Sequence, residues 1–430
     1  MAKKTGGYES ALRFILSREM FGMKLGLENI SGLLDKMDNP QNKFRSIHIA
    51  GTNGKGSTAA YIDSILRQAG YKTALFTSPH LVDFRERIKV NGALINEGYI
   101  TRFIEENRTL IARKKITFFE VCTALGFSYF ADRKVDIAVI ETGLGGRLDA
   151  TNTLRPLLSI ITDISYDHTD ILGNTLPKIA FEKAGIIKES VPVLIGILPS
   201  SARKVIEKAA RQRSASLATV SARDFSRSGG NFLFDYHRDG LTLKDLRSSL
   251  PGIHQMTNAA VAIQAAVMLG GSGFRVSRVD IRRGLENTYW PGRFQIVRRR
   301  GKPVVILDVG HNPAGAGAMA ACFREMFPRR KADMVIGLVN TKDLRGTIKP
   351  LIPIVRRVAV ARLDTPRTAS PQEIASLFDR KVSWVRTFAS LTTAAKMMIN
   401  SAAPDDIVIV CGSHYGVGEF MAGMDRIYER

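Results

Sequence analysis

The chain has 430 residues, of which 45% are hydrophobic and 24% are charged, a balance that excludes a disordered or fibrous protein. Its length predicts two or three domains, each able to bury a core. Sixty-two Lys and Arg residues against 40 Asp and Glu residues give a net charge of +22, so the surface should attract anions. This charge is dispersed and is not interleaved with aromatic residues, which argues against a dedicated nucleic-acid binder.

The cysteines and the N-terminal residues give expectations about the compartment. Cys122, Cys322 and Cys411 are scattered, so we expect neither a disulfide framework nor a cysteine zinc site. The first 20 residues lack the apolar stretch of a signal peptide. No apolar run approaches the roughly 18–20 residues of a membrane span. We therefore expect a cytoplasmic protein without a membrane partner.

Short apolar runs that alternate with helical patterns predict a parallel sheet in the first part of the chain, because both faces of such strands are buried. The predicted elements are, in chain order, strand Ser46–Ala50, helix Thr58–Ala69, and strands Thr73–Phe76, Ile137–Ile140, Ser159–Ile164 and Val191–Ile197. Residues 224–250 read differently: Phe232, Phe234 and Tyr236 alternate before a possible Asp239-Gly240 turn, which predicts a small β-ribbon.

The pattern of buried strands restarts near residue 302. The predicted elements are strands Val304–Leu307, Met334–Val339, Val358–Ala361 and Ile407–Val410, and helices Ala314–Phe327 and Pro371–Phe378. The turn-rich segment W-P-G-R-F, Trp290–Phe294, precedes the restart. We therefore predict an N-terminal domain over residues 1–293 and a smaller α/β domain over residues 294–430.

The strongest local motif is G-T-N-G-K-G-S, Gly51–Ser57, between a predicted strand and a predicted helix. Glycines let backbone N–H groups surround phosphate oxygens, and the helix N-terminus adds partial positive charge. Lys55 would contact the outer phosphates and Ser57 would offer a hydroxyl to magnesium. The motif departs from the usual phosphate loop, because Ile49 replaces its first glycine and Gly56 separates Lys55 from Ser57.

In this form the motif resembles the phosphate loop of the Mur ligase superfamily. Further motifs follow in the order typical of the folylpolyglutamate synthase/dihydrofolate synthase family and together cover residues from about 8 to 420. They are G-L-E-N-I (26–30), T-S-P-H-L (77–81), R-E-R-I-K-V-N-G (85–92), T-F-F-E (117–120), E-T-G-L-G-G-R-L-D-A-T-N (141–152), D-H-T-D-I-L-G (167–173), E-K-A-G-I-I-K (182–188), H-Q-M-T-N-A (254–259), W-P-G-R-F (290–294), D-V-G-H-N-P-A-G (308–315) and C-G-S-H-Y (411–415). The resemblance implies a two-domain Mur-ligase-like α/β fold, with a mostly parallel phosphate-loop domain and a doubly wound C-terminal domain.

The resemblance also implies where ATP and two magnesium ions would bind. Glu141 ends a buried strand before a glycine-rich turn, where a carboxylate suits magnesium. Histidine is an uncommon magnesium ligand, but the resemblance assigns His168 to the metal, together with Ser57 and Glu141. ATP contacts are implied at Gly51, Thr52, Asn53, Gly54, Lys55, Gly56, Ser57, Asn258, Arg293 and Asp308.

Catalytic and substrate-binding residues are implied in the same way. In similar ligases the lysine of the E-K-A-G motif, here Lys183, carries CO2 as a carbamate, which requires a neutral and partly desolvated amine. Lys55 and His311 are the other catalytic candidates, and His311 would orient or deprotonate an amine. Substrate contacts are implied at Ser78, His80, Phe119, Asp308, His311 and Ser413.

These parts suit an ATP-dependent amide ligase that adds L-glutamate to folate through an acyl phosphate. The sequence leaves open whether the chain also joins glutamate to dihydropteroate. We expect a monomer whose partners are ATP, L-glutamate and folates or dihydropteroate, without nucleic acid. The alternatives are another Mur-type amino-acid ligase, a phosphate-loop ATPase that acts on nucleic acid, and a degenerate nucleotide-binding module.

Overall fold

The computed structural model describes residues 5–22, 26–229, 232–340, 343–378 and 382–428. In chain order the strands are β1 (Arg45–Ala50), β2 (Thr73–Phe76), β3 (Ile88–Val90), β4 (Ala93–Leu94), β5 (Ile137–Glu141), β6 (Leu158–Ile161), β7 (Val193–Ile195), β8 (Leu217–Thr219), β9 (Phe225–Arg227), β10 (Leu233–Arg238), β11 (Leu241–Arg247), β12 (Gln295–Val297), β13 (Val304–Asp308), β14 (Ala332–Ile336), β15 (Val355–Ala361), β16 (Trp384–Phe388) and β17 (Ile407–Cys411).

Helices connect most of these strands. They are α1 (Thr5–Leu16), α2 (Glu28–Lys36), α3 (Lys55–Gln68), α4 (Glu97–Arg113), α5 (Phe118–Asp132), α6 (Thr169–Leu172), α7 (Leu176–Ala184), α8 (Ser200–Gln212), α9 (Ile253–Leu269), α10 (Arg278–Glu286), α11 (Pro313–Met326), α12 (Leu344–Ile348), α13 (Pro371–Ser376), α14 (Leu391–Asn400), α15 (His414–Ala422) and α16 (Met424–Tyr428). Across the described ranges, none of them is long and apolar enough to cross a membrane.

The first sheet has eight strands in the order β4-β3-β2-β5-β1-β6-β7-β8, and the six strands from β2 to β8 in this order are parallel. Its β5 strand is buried on both sides: Ile137 and Val139 face one core, whereas Ala138 and Ile140 face the other. Helices α3, α9 and α10 cover the first face and α1, α2, α4 and α5 the second. This three-layer arrangement, with helices on both faces of a mostly parallel sheet, is the one that the continuous apolar runs predict.

The register of the three central strands brings their carboxyl ends together. Ile49 of β1 pairs with Glu141 of β5, and Ala50 of β1 pairs with Ile161 of β6. The segments that follow β1, β5 and β6 therefore leave the sheet side by side, at the edge where open α/β sheets bind ligands.

The second sheet has six strands in the order β12-β13-β17-β14-β15-β16, all parallel except β12. Its two faces bury separate apolar clusters, with α11 on one face and α14 and α15 on the other. This confirms the prediction of a doubly wound α/β domain. The first strand of this sheet begins at Gln295, close to the predicted boundary at residues 293 and 294, which itself stays a prediction.

The predicted ribbon is present, as three antiparallel strands in the order β11-β10-β9. Arg238 pairs with Leu241 across the two-residue turn at Asp239-Gly240, as expected. Phe234 and Tyr236 join the core of the first sheet, and the hydroxyl of Tyr236 donates to Gln264 Oε1 on α9 at 2.6 Å. Phe232 lies outside the strand and has a left-handed backbone, with φ of 70°.

Several predicted boundaries were wrong by a few residues. The strand predicted over 159–164 ends at Ile161, and the one predicted over 191–197 covers only Val193–Ile195. The strand predicted to start at Met334 starts at Ala332 and ends at Ile336. Helix α3 begins at Lys55, three residues before its predicted start. The apolar runs continue beyond the ends of β6, β7 and β14, the charged Asp333 hides the start of β14, and glycines hide the first turn of α3.

Candidate active site

The phosphate loop is the segment between β1 and α3. Gly54, at the N-cap of α3, has φ of 81°, and a Cβ there would collide with the side-chain oxygen of Asn258. Only glycine fits this position without strain. Lys55 folds back over the loop, and its Nζ donates to Gly51 O at 3.0 Å and to Thr52 O at 3.2 Å. The lysine therefore closes the loop on itself.

The segment after β6 holds the loop from one side. Thr162 Oγ1 donates to Asn53 O at 2.7 Å, and Thr52 Oγ1 donates to Ser165 O at 3.1 Å. The side-chain amide of Asn53 donates to Asp163 Oδ2 at 3.1 Å and to Ser165 Oγ at 2.9 Å. The strand predicted to run to Ile164 stops early because these residues turn toward the phosphate loop.

Glu141 is a buried carboxylate at the end of β5. Its Oε1 lies 3.9 Å from Lys55 Nζ, and its Oε2 accepts from the backbone N–H of Ser78 at 3.3 Å. Burial raises the pKa of Glu141, and the positive charge of Lys55 opposes that rise. A divalent cation would relieve the same desolvation more fully than a lysine at 3.9 Å, so the carboxylate suits a metal ligand.

The donor set at this edge fits a hard cation. Ser57 is buried in the first turn of α3, and it lines the same cleft as Glu141 and His168. In the part of the chain that the structure describes, no group of three or more His, Cys, Asp or Glu side chains is placed to hold a metal ion. The assignment of Ser57, Glu141 and His168 to a metal stays a prediction; the Glu141 carboxylate and the Ser57 hydroxyl are hard oxygen donors of the kind magnesium prefers alongside phosphate oxygens and water.

Lys183 is almost fully buried at the end of α7, 3% exposed, although it is a lysine. Its Nζ donates to Gly51 O at 2.8 Å, so this carbonyl receives bonds from two lysines. Burial lowers the pKa of Lys183 to about 7, and the nearby Lys55 adds to this shift. A substantial fraction of the amine is therefore neutral near neutral pH.

The second domain forms the opposite wall of the cleft. Asp308 ends β13, and its carboxylate accepts from the backbone N–H groups of Gly310 and Phe294, at 2.7 and 2.9 Å. Burial raises the pKa of Asp308, and the positive charge of Arg293 opposes this rise. Burial also lowers the pKa of Arg293, which is half-buried in the same cleft.

Two neighbouring residues join the domains directly. The side-chain amide of Asn312 donates to Asn53 Oδ1 at 3.0 Å and to Asp167 Oδ2 at 3.1 Å. His311 Nε2 lies 3.4 Å from the same carboxylate oxygen of Asp167, while its Nδ1 lies 3.1 Å from Val309 O. His311 therefore lies at the contact between the two domains, and whether it orients or deprotonates an amine stays a prediction.

The end of β17 completes this wall. Ser413 caps α15 by accepting from the backbone N–H of Gly416 at 2.9 Å. The ring of His414 lies 5.5 Å from that of His311, between centroids. Both histidines and Ser413 line the cleft.

One cleft of about 640 Å³ brings together most of the residues predicted from the sequence. Those lining it are Gly51, Thr52, Asn53, Gly54, Lys55, Gly56, Ser57, Ser78, Glu141, His168, Lys183, Asn258, Arg293, Asp308, His311 and Ser413. Residues that sequence reasoning missed also line it, among them Asp163, Asp167, His254 and Arg367. Asp167 was available in the D-H-T-D motif, but its position beside a second domain has no sequence signal.

Two predicted substrate contacts, His80 and Phe119, are not among the residues that line this cleft. Burial lowers the pKa of His80 to about 4, and its Nδ1 accepts from Arg87 Nε at 2.8 Å. Phe119 packs beneath the turn after β5, where a Cβ on Gly143 would meet its ring at 2.5 Å, and 6.0 Å from Phe76 between centroids. Their assignment to a substrate stays a prediction.

Comparison with known proteins places this geometry in a family. The chain matches the Mur ligase middle domain over residues 49–266 and the glutamate ligase domain of Mur ligases over residues 292–414. It is 35% identical to the dihydrofolate synthase/folylpolyglutamate synthase of Bacillus subtilis, over 96% of this chain and 98% of that protein. The chain belongs to the dihydrofolate synthase/folylpolyglutamate synthase family.

Solved structures of this family share the whole architecture. The Escherichia coli FolC structure in complex with DHPP and ADP has a TM-score of 0.87 and 31% identity, over 98% of both chains. A bifunctional folylpolyglutamate synthase/dihydrofolate synthase with Mn, AMPPNP and L-glutamate bound has a TM-score of 0.86 and 31% identity, over 96% of this chain and 98% of that one. The two-domain Mur-ligase-like fold predicted from the sequence is thereby confirmed.

Proposed function

We propose that this chain is an ATP-dependent amide ligase that adds L-glutamate to folates and joins L-glutamate to dihydropteroate. The observation that carries the proposal is the bond between Asn312 and Asn53, because it places the phosphate loop against residues of the glutamate ligase domain. Both acceptors are included because the Bacillus subtilis relative carries both activities in its name and the Escherichia coli structure holds DHPP.

The first step transfers a phosphoryl group to the acceptor. A carboxylate oxygen of the folate or pteroate attacks the γ-phosphorus of ATP, the bond to the β,γ-bridging oxygen breaks, and ADP leaves. Lys55 would exchange its bonds to Gly51 O and Thr52 O for phosphate oxygens. With Arg293 it would neutralise charge that spreads over the phosphoryl oxygens.

The second step forms the amide. The amine of glutamate attacks the acyl carbon, phosphate leaves, and one proton is released for each amide bond formed. We assign His311 and Asp167 the task of holding the amine in line with the acyl phosphate, because Asn312 and His311 fix Asp167 from the other domain. Closure of the cleft around the substrates would keep water from the acyl phosphate.

A divalent cation would polarise the γ-phosphate and neutralise developing charge when bound. Ser57 and Glu141 are the residues that would hold it, and His168 stands at the same edge as a third candidate. Two such sites are an expectation from the family resemblance.

Lys183 is proposed as a carbamate. A neutral amine adds CO2 to give R–NH–COO⁻ and one proton, which converts a cation into an oxygen ligand. The supporting observations are the burial of Lys183 and its pKa lowered to about 7, because a fully charged ammonium does not react with CO2.

Phosphate release by the purified chain tests the function. Mixtures would contain ATP, magnesium and L-glutamate, with tetrahydrofolate or dihydropteroate as acceptor, and mass spectrometry would follow the products. We expect phosphate and a product heavier by one glutamyl residue with each acceptor. Release only with a UDP-sugar peptide would instead support another Mur-type ligase, and release without any acceptor would support an ATPase.

A further inference from the structure

The loop after β15 carries an arginine into the cleft. This loop covers residues 362–369, and Arg367 lines the cleft, as do Val339, His414 and Tyr415. Arg367 is exposed, whereas Ser413 at the same wall is buried. The arginine therefore lies at the outer rim of the wall that the second domain contributes.

The backbone of this loop is held firmly. Leu363 is buried against Gly337, and Ala369 N donates to Leu338 O at 2.9 Å. The carbonyl of Arg367 accepts from Asn340 N at 2.8 Å, and Arg367 N donates to Thr365 Oγ1 at 3.3 Å. The loop thus fixes the Cα of Arg367 at the cleft and leaves only the side chain free to reach inward.

The other cations of the cleft are already engaged. Lys55 and Lys183 bind Gly51 O, and Arg293 lies near Asp308 and Glu141. Within the described ranges, the guanidinium of Arg367 has neither a hydrogen-bond nor an ion-pair partner. An arginine held at a cleft by its backbone, with an uncommitted guanidinium, is suited to bind a carboxylate of a substrate.

We propose that Arg367 binds the side-chain carboxylate of the incoming glutamate and so selects glutamate over uncharged amino acids. This inference rests on the proposed function. In the proposed reaction the amine must reach the acyl phosphate beside the phosphate loop, which would place the α-carbon near His311. A side chain that extends away from the phosphates would then run outward. The carboxylate at its end then approaches the rim, where Arg367 stands, rather than the buried residues around the phosphates.

Amino-acid selectivity of Arg367→Ala tests the proposal, with Arg362→Ala as the matched control. Arg362 is an exposed arginine of the same loop that does not line the cleft. Steady-state ligation would be measured with L-glutamate and with L-glutamine, which differ only in the side-chain carboxylate. For Arg367→Ala we expect KM for L-glutamate to rise about 10- to 100-fold, with KM for ATP unchanged. The preference for L-glutamate over L-glutamine should fall by a similar factor, whereas Arg367→Lys should keep part of it.

Two results would overturn the assignment. The first is a KM for L-glutamate no higher in Arg367→Ala than in Arg362→Ala. The second is a raised KM with an unchanged preference for glutamate over glutamine, which would place the α-carboxylate at this arginine. A wild-type chain that ligates glutamate to neither acceptor would refute the proposed function itself, and the inference with it.

Discussion

At the scale of single residues, the cleft holds charges in unusual environments. Lys55 and Lys183 share one carbonyl oxygen, and Glu141 is a buried carboxylate 3.9 Å from Lys55. Bringing ATP into this cleft would replace contacts within the protein by contacts with phosphates and a cation. These residues should therefore affect turnover far more than folding.

Lys55→Ala should lower turnover at least about 100-fold, a loss of roughly 3 kcal/mol of transition-state stabilisation. The reason is that Lys55 is the cation of the phosphate loop that can exchange backbone carbonyls for phosphate oxygens. Phosphate release under saturating substrates measures the effect, and circular dichroism checks the fold. Near-normal turnover of a folded variant would contradict the assignment.

Lys183→Ala and Lys183→Arg should both abolish ligation if Lys183 works as a carbamate. A lysine that merely contributes charge predicts instead that arginine retains substantial activity. Acetate should partly rescue Lys183→Ala, because it can occupy the position of the carbamate oxygens. Loss of activity in CO2-free buffer and its return with bicarbonate are the measurements on the wild type.

The proposed carbamate on Lys183 also predicts how the rate of reactivation by CO2 changes with pH. The pKa of Lys183 is lowered to about 7, so the neutral, reactive amine increases as pH rises through that value. At constant dissolved CO2, reactivation of CO2-depleted protein should therefore be slow at pH 6 and faster at pH 8. A rate that is flat over this range would argue that the amine is not the reacting group.

At the scale of elements, the turn into α3 tolerates the fewest substitutions, because Gly54 has a left-handed backbone and packs against Asn258. Gly54→Ala should weaken ATP binding and destabilise the fold by more than the roughly 1–2 kcal/mol of a left-handed alanine, because its Cβ would also displace Asn258. Gly70→Ala is the matched control: Gly70 follows the end of the same helix with φ of 86°, and its Cβ would meet nothing within 4 Å. Calorimetry with ATP should detect a defect in Gly54→Ala alone.

The contrast between predicted and observed elements has a physical cause. Strand β1 and the phosphate loop could be predicted from the sequence because the apolar run ends at glycines. The end of β6 could not, since Ile164 is apolar and buried, yet lies in the segment that turns to bind the loop. Periodicity reports burial, whereas the end of a strand depends on which hydrogen bonds a distant segment offers.

In the candidate site, too, the sequence predicts residues that belong to motifs but not residues that only the fold brings to the cleft. Lys55, Glu141 and His311 could be named because each belongs to a motif next to a predicted strand. Arg367 could not, because it lies within the loop after β15, and only the folded position of that loop brings it to the cleft. His80 and Phe119 lie in motifs of the family resemblance, but the structure places them outside the main cleft.

At the scale of the whole molecule, the net charge of +22 is dispersed along the sequence, and the candidate site is a cleft between two domains. Adding DNA or RNA should therefore leave ATP turnover unchanged, and any binding should weaken steeply as salt increases. Turnover with and without nucleic acid at several salt concentrations tests this. Salt-resistant binding together with stimulated ATP turnover would favour the nucleic-acid ATPase over the ligase.

The contact between Asn312 and Asn53 has a consequence for how the protein acquires its function. These residues are 259 positions apart, and Lys183 is 132 positions from the carbonyl of Gly51 that it binds. Closing loops of this length costs conformational entropy before the contact is made, so we expect these contacts to form late in folding. A newly synthesised chain would therefore contain the complete phosphate-loop motif before Lys183 and Asn312 form their hydrogen bonds to the loop. Full competence for nucleotide should arrive only with the last stage of folding, when the second sheet docks against the first.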